Sequence, residues 1–193
     1  MGTSSKALKE LKKGFSTSRY PDGSSYALRE ALAKQHNINV NNIICGNGSD
    51  EVLSLFAHCF SGPGDEVLYS KHGFLVYPIS IKAAGSKPIS VPEKNYKADV
   101  NAIIKKASRK TKICFIANPN NPTGTYLTRN ELIKLREKLP KKCLLVIDSA
   151  YAEYVEENDY SDGIDIAKKY NNVATTRTFS KIYGLASLRI GWA

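Results

Sequence analysis

No apolar stretch in this sequence approaches the roughly 20 residues that a membrane-crossing helix requires. Runs such as Cys143-Leu144-Leu145-Val146-Ile147 are among the longest. The opening residues, Met1-Gly2-Thr3-Ser4-Ser5-Lys6, hold no apolar core of the kind that marks a secretory leader. A soluble, cytoplasmic protein is therefore expected. Cysteine and histidine are also scarce. Cys45, Cys59, Cys114 and Cys143 show no metal-ligand spacing, and three of them sit in apolar runs where a free thiol acts as a small hydrophobe. Neither a disulfide nor a metal site is expected. His36 and His58 fall on predicted helices without partners at ligand spacing, and His72 lies in the loop before Phe74; none of the three is given a role. Internal repeats, low-complexity tracts and linkers are absent too. At 193 residues and 42% hydrophobic content the chain reads as one globular domain with one sizeable core.

Acidic residues are in deficit, 18 against 28 basic ones, giving a net charge of +10. Such a balance invites comparison with nucleic-acid binders, in which clustered lysines displace counterions from phosphates. Here Lys9, Lys12, Lys13, Lys105, Lys106, Lys141, Lys142, Lys168 and Lys169 are dispersed over predicted polar helix faces and turns, with no interleaved aromatics. A solvated basic surface is expected, attractive to small anions, with no nucleic-acid or membrane partner.

Short apolar runs alternate with longer amphipathic segments, the pattern of parallel strands joined by crossover helices, so the fold class is α/β. Strands are expected at 43–45, 66–70, 87–90, 112–117, 143–148, 173–178 and 188–192, rich in Val, Ile and Cys as suits strands buried on both faces. Helices are expected at 24–36, 49–60, 74–84, 99–107 and 128–139. Thr128-Arg129-Asn130-Glu131 has the form of a capping box, which fixes the start of the last. The chain stops inside an apolar strand at Gly191-Trp192-Ala193, and a truncated domain is expected from that ending.

Four segments carry the chemistry. Ile44-Cys45-Gly46-Asn47-Gly48-Ser49-Asp50-Glu51 joins a strand to a helix through two glycines, and helix-terminal N–H groups there would suit a phosphate; read alone, it is as well a plain turn capped by Ser49 or Asp50. Asn118-Pro119-Asn120-Asn121-Pro122-Thr123-Gly124 follows a strand at the carboxyl edge, where open α/β sheets bind ligands, and an Asn held between prolines makes a fixed donor. Asp148 ends a buried strand; a carboxylate near a ring nitrogen would keep that nitrogen protonated and deepen an electron sink, whereas its ordinary role would be to cap a helix. Thr176-Arg177-Thr178-Phe179-Ser180-Lys181, leading to Leu188-Arg189, sets hydroxyls, a lysine and an arginine in one strand–turn–strand. A lysine with cationic and hydrogen-bonding neighbours can shed its proton and attack an aldehyde, the alternative being a surface lysine.

These segments, in this order, together with Ser18-Arg19-Tyr20-Pro21-Asp22-Gly23 and His72-Gly73-Phe74-Leu75-Val76-Tyr77, resemble the large domain of the fold-type I aminotransferases dependent on pyridoxal 5'-phosphate (PLP), and most of all the histidinol-phosphate aminotransferases. The resemblance covers essentially the whole chain. It implies a three-layer α/β sandwich with a mostly parallel sheet, residues 1–193 forming an N-terminal arm and most of the large domain. It implies Lys181 as the Schiff-base lysine and proton shuttle, Asp148 as partner of the pyridine nitrogen, and Asn121 and Tyr151 as partners of the ring hydroxyl oxygen. Thr178, Ser180 and Arg189, with the backbone of Ser49 and Asp50, would cradle the phosphate; Phe74 would stack on the ring. Tyr20 would reach the phosphate held by a neighbouring subunit, so a homodimer is implied. Substrates would be amino acids and 2-oxo acids, with glutamate as donor and an imidazole-bearing phosphate ester as the specific partner, in the histidinol-phosphate:2-oxoglutarate amino transfer of histidine biosynthesis.

Some positions depart from the pattern. Ser149 stands where Glu is more frequent, and Ser187 replaces a frequent Gly. Family members are about twice as long, so the small C-terminal domain, with its substrate-carboxylate arginine, is absent here, as is an Asn-rich segment before Gly2. Three other readings therefore stand beside amino transfer: a non-catalytic fragment or interaction module, a threonine-phosphate decarboxylase-like enzyme, and, from charge alone, a nucleic-acid binder.

Overall fold

The computed structural model describes residues 2–14 and 17–193; Met1, at the head of the opening stretch considered above, lies outside them. Among the described residues one central sheet contains β1 (Cys45–Asn47), β2 (Glu66–Ser70), β3 (Lys87–Val91), β6 (Thr111–Ala117), β7 (Leu144–Asp148), β8 (Val173–Thr178) and β9 (Ile190–Trp192), in the spatial order β1-β9-β8-β7-β6-β2-β3. A separate hairpin pairs β4 (Glu93–Lys94) with β5 (Lys97–Ala98). Strands β3, β2, β6, β7 and β8 are mutually parallel, β9 is antiparallel to β8, and β1 is antiparallel to β9. The mostly parallel sheet expected from the sequence is thus present, with its two irregular strands at one edge.

The alternation of side chains along β6 and β7 builds the layers. Ile113, Phe115, Leu144 and Val146 face α3 (Ser49–Phe60) and α4 (Val76–Ala83), packing with Val52, Leu53, Tyr77 and Ile81. Cys114, Ile116, Leu145 and Ile147 face the opposite way, against Ile103 of α5 (Val100–Lys106), Leu132 and Leu135 of α6 (Arg129–Lys138), and Ile166 of α7 (Ile164–Lys169). Every residue of β7 is buried, as a central strand covered on both faces must be. Helix α2 (Tyr26–His36) adds Leu32 to a smaller cluster with Ile43, Ile164 and Trp192.

Several boundaries move for local reasons. β1 begins two residues later than expected because Ile43 closes a 3-10 turn at Val40–Asn42. The last strand shortens to Ile190–Trp192 because Ala186–Leu188 form another 3-10 turn and Arg189 takes a left-handed φ of 50°. The capping box at Thr128 and Glu131 is formed on both sides. Helix α1 (Ser5–Lys12), helix α7 and the β4–β5 hairpin were not anticipated. α1 buries none of its residues, and the other elements are short.

This topology gathers distant residues at one place. The parallel strands β6, β7 and β8 deliver their carboxyl ends to the same edge, and β1, parallel to β8 through the intervening β9, delivers the start of α3 there. Because β9 runs the other way, its leading residue Arg189 arrives at that edge as well.

Candidate functional site

A cavity opens at this carboxyl edge, between α3, the strand ends and the loops that follow them. At its base lies Asp148, 4% exposed. Its Oδ1 accepts a 2.8 Å hydrogen bond from Thr176 Oγ1 on the neighbouring strand, and its Oδ2 one of the same length from Tyr77 Oη on α4. Asp148 is not the cap of the helical turn that follows it, which spans Ala152–Tyr154 and starts from Tyr151. Burial raises the pKa of its carboxyl, and the two hydroxyl donors pull it back. Among the described residues no Lys, Arg or His forms an ion pair with it. A buried carboxylate in that state is costly on its own and receptive to a cationic partner.

One wall is suited to an anion. The cap of α3 is Gly48, at φ 82° and without a side-chain cap bond, rather than Ser49 or Asp50, so the first amides of the helix remain available. Arg189 leans over this turn: its Nη2 is 3.5 Å from Asp50 Oδ2, and its Nη1 donates to Ser180 Oγ at 3.2 Å. A Cβ at residue 48 would fall 2.3 Å from Arg189 Nη2, so glycine is required for the guanidinium to approach. Thr178 Oγ1 accepts from the Ser180 N–H at 3.1 Å, which folds the turn after β8 back toward the arginine. Ser49, Asp50, Thr178, Ser180 and Arg189 all line the cavity.

On the other side stand Lys181, Tyr151, Phe74 and Asn121. Lys181 Nζ lies 5.1 Å from the centre of the Tyr151 ring, an amine–aromatic contact near the cavity. Phe74 meets Tyr77 edge to face at 6.0 Å, and Tyr77 in turn stacks on Phe115 at 5.2 Å, so the Phe74 ring rests on the core. Asn121 sits between two proline peptides, Asn118-Pro119 and Asn121-Pro122, both cis. The buried Asn118 beside it is structural: its Oδ1 accepts from the Leu127 N–H at 2.7 Å.

All the residues nominated from the sequence thus meet in this cavity except Tyr20, which is fully exposed and absent from its lining. Tyr77 and Thr176 were not nominated, although they hold Asp148. Tyr77 lies three residues after Phe74, hence nearly one helical turn away, and Thr176 stands opposite Asp148 in the strand register. Both signals depend on knowing which strands are neighbours.

The profile of the "Aminotransferase class I and II" family matches residues 3–193. A histidinol-phosphate aminotransferase of Rhodospirillum centenum is 53% identical over 175 residues, covering 91% of this chain and 48% of that relative. One from Pelagibacter ubique is 50% identical over 193 residues, covering 100% of this chain and 54% of its own length. The chain therefore spans about half the length of these curated relatives. Among solved structures, a histidinol-phosphate aminotransferase from Sinorhizobium meliloti, in complex with pyridoxal-5'-phosphate, superposes with a TM-score of 0.91 at 28% identity, over 99% of this chain and 52% of that one. An L-threonine-O-3-phosphate decarboxylase from Porphyromonas gingivalis gives 0.83 at 26% identity, over 99% and 56% respectively.

Proposed function

The chain belongs to the class I and II aminotransferases, and from that premise we propose that it is the PLP-binding half of an enzyme of histidine biosynthesis that exchanges an amino group between the glutamate/2-oxoglutarate pair and the histidinol-phosphate pair. The observation that carries the reading is the single cavity in which buried Asp148, Lys181 and the Arg189-covered start of α3 meet. Residues 1–193 would form the N-terminal arm and most of the large domain, and the small domain would lie beyond them.

The residues fit the cofactor at three points. A buried carboxylate without a cationic partner among the described residues suits a protonated pyridine nitrogen, a helix start beneath an arginine suits a phosphate, and a lysine amine at the cavity suits an aldehyde. When bound, the cofactor supplies an electron-withdrawing ring that stabilises negative charge at the substrate carbon. Asp148 would keep the ring nitrogen protonated, aided by the hydroxyls of Thr176 and Tyr77, which hold the carboxylate in place. Arg189, Thr178, Ser180 and the amides of Ser49 and Asp50 would anchor the phosphate, a charge-assisted set suited to its oxygens. Phe74 would cover one ring face, and Asn121 and Tyr151 would donate to the ring hydroxyl oxygen. Lys181 Nζ would bind the aldehyde carbon and, once the substrate amine takes its place, accept and return the proton of the substrate carbon. Tyr20, free in one protomer, would complete the phosphate site of a second, which makes the working unit a homodimer.

Glutamate release from histidinol phosphate and 2-oxoglutarate, by the chain completed to the length of its relatives, is the test. Glutamate from another amino donor but not from histidinol phosphate would refute the substrate. Carbon dioxide released from threonine phosphate would favour the decarboxylase reading, which the Porphyromonas gingivalis structure keeps in view.

A further inference from the structure

Behind the cavity a closed circuit of contacts ties together the two loops that bring Phe74 and Asn121 to it. Glu93, the first residue of β4, has a side chain only 2% exposed. Its Oε1 accepts the His72 N–H at 3.1 Å, and its Oε2 lies 2.8 Å from His72 Nδ1. The His72 ring packs against the Tyr96 ring with centroids 5.5 Å apart, at the tip of the β4–β5 hairpin. Asn95 and Tyr96 both take positive φ there, 51° and 59°, as a tight two-residue hairpin turn demands. Tyr96 O accepts from Thr125 Oγ1 at 2.8 Å, and Thr125 O accepts from the Asn120 N–H at 2.8 Å. Asn120 Nδ2 then donates to His72 O at 3.2 Å, returning to the starting residue.

A short hairpin needs no buried carboxylate to close it, and burying one carries a desolvation cost. Here both hydrogen-bonding arms of that carboxylate grip one residue, His72, two positions before Phe74. The Asn120 amide grips the same residue from the loop that carries Asn121. None of Glu93, His72 and Asn120 lines the cavity. We infer that these three are positioning residues, which fix the spacing of Phe74 and Asn121 before the cofactor arrives. The hairpin is then a brace for the site, and pre-formed geometry of this kind is what makes a binding constellation tight. The inference rests on the PLP reading above.

The experiment compares the 193-residue chain with Glu93→Ala, Glu93→Gln, Asn120→Ala and Thr125→Val. Amide hydrogen exchange is read without cofactor, and PLP affinity and the induced circular dichroism of bound PLP are read with it. Gln can still accept from the His72 N–H and serves as the conservative rescue; Thr125→Val removes the hydroxyl contacts to Tyr96 O and Thr123 Oγ1, leaves the backbone link to Asn120 in place, and guards against failure to fold. Expected for Glu93→Ala is faster exchange in both residues 71–74 and residues 118–125, an affinity about tenfold weaker, as loss of a buried hydrogen-bond partner implies, and a diminished dichroic band. Asn120→Ala should match it, Thr125→Val should show the same pattern in weaker form, and Glu93→Gln should restore most of the loss. Faster exchange confined to residues 93–98, or loosened loops with unchanged PLP affinity and dichroism, would overturn the inference while leaving the cofactor reading intact. Absence of PLP binding by the unaltered chain would remove the cofactor reading itself, and the positioning role with it.

Discussion

Gly191 of β9 is pressed against the start of α3 so closely that a Cβ at residue 191 would fall 2.2 Å from the Ser49 backbone nitrogen. The neighbouring atoms are backbone, so no side chain can turn aside to make room. Gly191→Ala is therefore expected to push α3 away from the strand, with a loss of about 1–3 kcal/mol typical of overpacking. Thermal melting and PLP titration read both effects, and a variant with wild-type affinity would show that the spacing of β9 and α3 does not set the anion wall.

Asp148 should cost the cofactor-free fold stability at neutral pH. Its pKa is raised above the ordinary 3.8, chiefly by burial, so the carboxyl carries no penalty below that value and an increasing one as pH rises through the raised pKa. Asp148→Asn should therefore melt higher than the parent at pH 7 without PLP, by about 2–4 °C for each kcal/mol recovered in a chain of this size, and the gap should vanish in acid. The same variant should bind PLP more weakly. A melt that falls at every pH would mean that the hydroxyl bonds from Thr176 and Tyr77 outweigh desolvation.

Arg189 is assigned to the phosphate, so its removal should distinguish PLP from pyridoxal, which lacks that group. Arg189→Ala is expected to weaken PLP by about 10- to 100-fold, the range for a lost hydrogen bond to a charged group, with little change for pyridoxal. Equal losses for both ligands would place the arginine's effect in the fold.

A stability contribution unconnected with the site is expected from Arg136. It is 3% exposed and donates to Leu139 O at 3.1 Å, Pro140 O at 2.8 Å and Cys143 O, closing the end of α6 on the start of β7. Arg136→Ala would strand these carbonyls at a cost of about 3 kcal/mol, taking roughly 1 per bond. The melting temperature should drop with PLP affinity of the remaining folded protein unchanged.

Asp148 and Asn121 were legible at the carboxyl edge because each ends or follows an apolar run, β7 and β6, whereas Lys181 follows the largely polar β8 and stood out by its hydroxyl-bearing flanks and the family resemblance. Which strand neighbours which was not legible. Tyr77 and Thr176 reach Asp148 only through the order β8-β7-β6-β2 and the packing of α4 over it. The burial of Arg136 was not legible either, since nothing in the local pattern reveals that the chain turns back beneath it. The β4–β5 hairpin escaped notice for a related reason. Two-residue strands leave no periodic signal, and Asn95-Tyr96 lacks the glycine that usually marks such a turn. Helix α1 has no buried face to declare it.

The central claim is that this cavity holds PLP through Lys181. The measurement is to mix the chain with PLP, follow the visible absorption, reduce with borohydride and locate the pyridoxyl group by peptide mass spectrometry. The account predicts stoichiometric labelling at Lys181, lost in Lys181→Ala. Label scattered over the many surface lysines, or no absorption beyond that of free PLP, would contradict it.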